Sequence, residues 1–93
     1  MHPKQKIYKQ VYPCRYCDSE GRTVYFSNHA IKRAKRRDIA YPEQALRALH
    51  NGKRECLGKD GIRIVHKTSK GSIILIGTIR QDKLIIKTIE RGN

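Results

Sequence analysis

The sequence over residues 53–90 alternates with a period of two and is cut by three short turn signals, a pattern that decides most of what the chain can become. Ile62, Ile64 and His66 alternate with Arg63, Val65 and Lys67, the spacing of a strand with one face toward a core and the other toward solvent. Residues 72–80 are apolar on both parities, which suits a central strand. Lys59-Asp60-Gly61, Ser69-Lys70-Gly71 and Gln81-Asp82 are each short enough for a hairpin. The expected structure is an antiparallel meander with strands near 53–57, 61–68, 72–80 and 83–90. A chain of 93 residues holds one domain, and at that size about 60–65% of the extended surface is buried, so the core must be small and simply layered.

Upstream of the meander, Thr23, Val24, Tyr25 and Phe26 are all β formers and predict a short strand over 22–26. Ser27 or Asn28 then serves as the N-cap of a helix whose Ala30, Ile31 and Ala34 form a thin apolar stripe, small enough to lie close to a sheet. Pro42 suits the first turn of a second helix, with Ala45, Leu46 and Leu49 on one face and Asn51-Gly52 expected to end it in an αL cap. Two helices can cover only one face of a sheet. The expected class is therefore α+β, with two N-terminal helices packed on one face of a four- or five-stranded antiparallel sheet. Residues 1–21 read as an N-terminal extension, and 22–93 as the single folded domain.

The first helix carries the chemistry. His29, Arg33 and Arg37 recur at i, i+4 and i+8, which stacks an imidazole and two guanidiniums along one helical face. Six of the eleven residues over 28–38 are His, Lys or Arg before the first acid, Asp38. Like charges at that spacing repel, so the helix is unstable unless an anion sits against it. The anion expected here is a phosphate. The whole chain has 21 Lys and Arg against 8 acids, a formal net charge of +13, as expected of a protein that meets nucleic acid or an acidic partner. If Ile62 and Ile64 face the helices, the open side of the sheet offers further cations.

Metal-free RNA cleavage needs a proton acceptor near the 2′-hydroxyl, a donor for the leaving oxygen and fixed positive charge around the transition state. His29, Arg33, Arg37 and His66 are the candidates for those roles, with His66 or a sheet lysine as the donor. Lys32, Arg36, Arg63, Lys67, Arg80 and Lys87 are the candidates for holding the nucleic acid. A non-catalytic nucleic-acid-binding module, or a basic subunit that receives an acidic protein, uses the same residues without proton transfer. No phosphate-binding glycine loop, serine triad or paired carboxylates can be placed, and eight acids are few for a carboxylate-bound two-metal nuclease. No cofactor and no metal are expected. Cys14 and Cys17 resemble half of a zinc knuckle, but Cys56 and a histidine would have to complete it, and the cysteines read as reduced thiols. The apolar runs 73–76 and 84–86 are too short to span a bilayer, and the N-terminus shows no apolar leader, so a cytoplasmic location without membrane contact is expected.

Phe26, Ser27, His29, Ala30, Arg33, Arg37 and Ile39 fit the phrase F-S-x-H-A-x-x-R-x-x-x-R-x-I. With the element order, this phrase resembles the small RelE-like and BrnT-like ribonuclease toxins of bacterial toxin and antitoxin pairs, in particular an uncharacterised branch of them, over about residues 22 to 90. The resemblance implies a barnase, EndoU, colicin and RelE type of fold and metal-independent RNA cleavage. It also implies His29, Arg33 and Arg37 as site residues, and neutralisation by an antitoxin that covers the basic groove. Residues 1–21 lie outside the pattern.

Overall fold

The structure, a computed structural model, describes residues 22–92. Along the chain these form β1 (Thr23–Phe26), α1 (Asn28–Arg36), α2 (Glu43–Asn51), β2 (Lys53–Leu57), β3 (Gly61–Thr68), β4 (Gly71–Arg80) and β5 (Lys83–Gly92). The expected N-terminal extension, with Cys14 and Cys17, falls outside the described residues. The class is α+β, and all five strands form one sheet in the order β1-β5-β4-β3-β2. The meander from β2 to β5 is antiparallel throughout, with Ile64 opposite Leu75 and Leu75 opposite Ile89. β1 departs from the expected antiparallel sheet. It pairs in parallel with β5, Thr23 opposite Lys83 and Phe26 opposite Ile86. A parallel pair needs a crossover, and here that crossover is everything between β1 and β5.

Both helices contribute to one apolar cluster. Ala30, Ala34, Ala45, Ala48 and Leu49 are buried with Val24, Phe26, Ile64, Leu75, Leu84, Ile86 and Ile89. Alternation within the strands accounts for the membership: Ile62 and Ile64 of β3 are in the cluster, whereas Arg63 and Val65 face the opposite side. The Phe26 and Tyr41 rings meet edge to face with centroids 5.1 Å apart, anchoring the segment between the helices to β1. Among the described residues no helix is long and apolar enough to cross a membrane.

α1 is closed at both ends by specific bonds. Ser27 is extended, and its hydroxyl accepts from the Ala30 amide at 3.0 Å while donating to the Lys87 carbonyl at 3.1 Å. One cap thus satisfies an orphan helix donor and ties the helix start to β5. At the far end the Ile39 amide donates to Ala34 and the Asp38 amide to Lys35, a Schellman closure with buried Ile39 against Ala34. Its left-handed position is held by Asp38, at φ 58°, where glycine is usual. α2 ends otherwise than expected. Gly52 is extended, not left-handed, and bonds back to the Ala48 carbonyl. Glycine stands there for space, since a Cβ would lie 2.5 Å from Ile64 Cγ2 and 2.6 Å from that carbonyl.

The pairing of β4 with β5 slips by one residue between Ile76 and Gly77, so that Lys87 is the extra residue of a bulge. A Cβ at Gly77 would run into the Ile85 backbone. Two substitutions test this local account by thermal or denaturant unfolding. Asp38→Gly raises stability by a few tenths to about 1 kcal/mol, because a left-handed conformation costs an L-residue more than it costs glycine. Gly77→Ala lowers it by about 1–3 kcal/mol, the range for overpacking a tight site.

Candidate nucleic-acid interface

The anion demanded by the cationic face of α1 is present within the fold. Glu90 of β5 receives Arg33 Nε and Nη2 on one carboxylate oxygen, at 3.1 and 2.5 Å, and Arg37 Nε and Nη2 on the other, at 3.1 and 2.8 Å. The Thr88 hydroxyl, two residues back on the same face of β5, adds a bond at 3.1 Å. Each guanidinium brings two donors to a single oxygen, so the two arginines share the carboxylate, one oxygen apiece. Side-chain exposures are 27% for Arg33, 37% for Arg37 and 26% for Glu90, so water still reaches the cluster. The bonds from Arg33 and then Arg37 hold the Glu90 carboxyl down at about 2, with burial opposing them. Two guanidiniums and one carboxylate leave the cluster with a charge of +1.

Arg91, next along β5, reaches the end of α1 instead. Its Nε donates to the Arg37 carbonyl at 3.1 Å and its Nη2 to the Asp38 carbonyl at 3.2 Å. These are oxygens at the negative end of the helix, where a cation is favoured. Ser27, Glu90 and Arg91 together fasten α1 to β5 at its start, middle and end. Sequence reading assigned no role to Glu90 or Arg91. A usable signal was there: Glu90 is the only acid in β5, placed two residues from Thr88 on a strand with no other counter-ion for a cationic helix.

His29 shares the helical stripe of Arg33 and Arg37, is exposed, and among the described residues has no hydrogen-bond or ion-pair partner. Lys32 and Arg36 are exposed on α1. Lys87, also exposed, lies at the β5 bulge, where its carbonyl bonds to Ser27 two residues before His29. His29, Lys32 and Arg36 thus lie on α1, and Lys87 on the strand to which the start of that helix is tied. His66 does not join them. It follows Ile62 and Ile64 on the helix-facing parity of β3, two strands from β5, and is half-buried beside Gln44 and Arg47 of α2. Arg63 and Lys67 lie on the opposite face of β3, Arg63 paired with Glu55 at 3.1 Å and Lys67 exposed. Arg80 is exposed at the end of β4, in a cleft of about 860 Å³ shared with Tyr25, Asp60 and Lys83. That cleft is bounded by β1, the β4–β5 hairpin and Asp60, away from the α1 cluster.

Cys56 is exposed and free, and among the described residues no group of three or more His, Cys, Asp or Glu side chains is placed to hold a metal ion. No match is found to a protein-family model, a curated protein or a solved structure.

The cluster makes stability depend on pH with a definite sign. A carboxyl whose value falls from 4.5 to about 2 on folding contributes stability that is complete above 4.5 and is lost as pH falls through about 2. Discounted for the water around it, that contribution is about 1–2 kcal/mol at neutral pH. Chemical denaturation of the wild type and Glu90→Gln at several pH values should therefore give curves separated by about that amount at pH 7 and converging toward pH 2. A constant separation would show that Glu90 acts through packing.

Proposed function

We propose that this protein binds RNA at the rim formed by α1 and β5 and cleaves it as a metal-independent endoribonuclease of the toxin and antitoxin type. One observation carries the reading: an exposed imidazole, His29, without a partner among the described residues, stands on the same helical stripe as an arginine, carboxylate and arginine cluster in a chain of net charge +13. His29 takes the proton of a 2′-hydroxyl. The freed oxygen attacks the adjacent phosphorus, the bond to the 5′-oxygen breaks, and a 2′,3′-cyclic phosphate results. Lys87 is the neighbouring cation able to protonate the leaving oxygen, a role for which His66 sits too far across the sheet. Arg33 and Arg37 keep their outward donors for the phosphate, which gains charge in the transition state. Glu90, ionised at neutral pH, orients them rather than exchanging protons. Lys32 and Arg36 hold the flanking backbone. An acidic antitoxin protein is the partner that such a rim would receive.

A second reading has its own support. Both guanidiniums already make two bonds each to Glu90, so the same rim serves as a non-catalytic binding site with a net charge of +1 at its centre.

Incubation of labelled RNA with the purified protein in EDTA separates the two. The enzyme reading expects cyclic-phosphate ends that disappear, by about 100-fold or more in rate, in His29→Ala. RNA left intact by both proteins, but still bound, removes the enzyme and leaves the binding module. A further measurement probes the arginines: Glu90→Gln unmasks them and should raise RNA affinity, with a steeper salt dependence. Unchanged affinity would remove Arg33 and Arg37 from the interface.

A further inference from the structure

Three clefts lead from the end of α1 past α2 to β3, and neighbouring ones share lining residues. The first, about 490 Å³, lies between the end of α1 and the start of α2 and is lined by Lys35, Lys70 and Gln44, with Asp38 its one acid among the described residues. Gln44 also lines the second, about 280 Å³, with Arg47, His66, Lys67, Thr68 and Ser69 and, among the described residues, no acid. His66 and Lys67 continue into the third, about 630 Å³, beside Lys53 and Arg63. Its one acid among the described residues, Glu55, is already bonded to Arg63.

The chemistry of this path is that of a polyanion site. Lys35, Arg47, Lys53, Lys67 and Lys70 are all exposed, and none has a side-chain bond among the described residues. Their charges are therefore uncompensated, whereas Glu90 offsets half of the charge on Arg33 and Arg37. The path also bends. It begins on the side of the sheet covered by α2 and ends at Arg63 and Val65, on the opposite face of β3. A duplex, stiff over some 150 base pairs, does not follow such a turn within one small domain, whereas a single strand does.

We propose that these clefts form one track for the backbone of single-stranded RNA, leading from the end of α1 past Arg47 and His66 to Lys53. The track rests on the RNA-binding reading of the α1 rim and extends it, since Lys35 joins the two.

Binding of the full-length protein to fluorescein-labelled oligouridylate, followed by anisotropy over a range of salt, tests it. Two double variants carry the same charge change: Arg47→Glu with Lys70→Glu on the track, and Lys59→Glu with Lys83→Glu off it. Thermal unfolding confirms that both fold. The track variant should bind about 10- to 30-fold more weakly, with a log-log salt slope shallower by about 1.4, while the control loses less than about threefold. Equal losses in both variants would overturn the track in favour of a diffuse charge effect. Wild-type affinity in the track variant would overturn it while leaving RNA binding at α1 in place. Failure of the wild type itself to bind at low salt would remove the RNA reading and the track together. Polyglutamate of matched charge displacing the oligonucleotide as well as unlabelled RNA does would assign the surface to an acidic protein instead.

Discussion

The carboxylate of Glu90 is the counter-ion on which the arrangement of α1 depends. A nine-residue helix with no acid in its first turn and Arg33, Lys35 and Arg36 in its last has little reason to form alone. Isolated helices this short are marginal even with good propensity, and repulsion along the stripe weakens this one further. Glu90 cancels half the charge of Arg33 and Arg37 and fixes both guanidiniums in place. Around that pair the remaining fastenings make sense: Ser27 sets where the helix leaves β5, and Arg91 neutralises its far end.

This fastening also explains the position of β1. Four residues make a weak strand, and TVYF gains its place as the start of a segment whose continuation, α1, is bound to the same neighbour, β5. The bulge at Lys87 falls where β1 has ended and α1 begins, and it changes the parity of β5 there. Ile86 and Ile89 both reach the core as a result, while Thr88 and Glu90 turn to the other face. Without the extra residue, strict alternation from Ile86 would send Glu90 into the core and Ile89 out of it. A single bulged position thus decides whether the cationic helix meets a carboxylate or an apolar side chain.

The meander was readable because its turns and period agree: β2 to β5 begin and end within about two residues of where the pattern placed them. The partner of β1 was not, since a short β-forming run carries no mark of direction, and pairing with a strand 60 positions away leaves no local trace. The α1 stripe was visible as a demand for an anion. Its answer was missed because Glu90 is 57 positions from Arg33 and looks like an ordinary strand-end acid. Asn51-Gly52 misled in a different way. Glycine there provides room against Ile64, and spacing alone does not separate that need from a left-handed cap. For the site, helical periodicity grouped His29, Arg33 and Arg37 on one stripe, whereas His66 could be assigned to another part of the surface only once the strand order was known.

The parallel pairing of β1 with β5 has a consequence for how the chain assembles. β2 to β5 pair strand by strand in sequence order, whereas β1 has its strand partner among the described residues in β5, and α1 takes its cap and its counter-ion from that same strand. The loop closed by Arg33 and Glu90 spans most of the described domain, and closing so long a loop is slow more than it is costly. The basic helix thus meets its counter-ion only where β5 lies beside it, so completing the sheet and neutralising that helix are coupled.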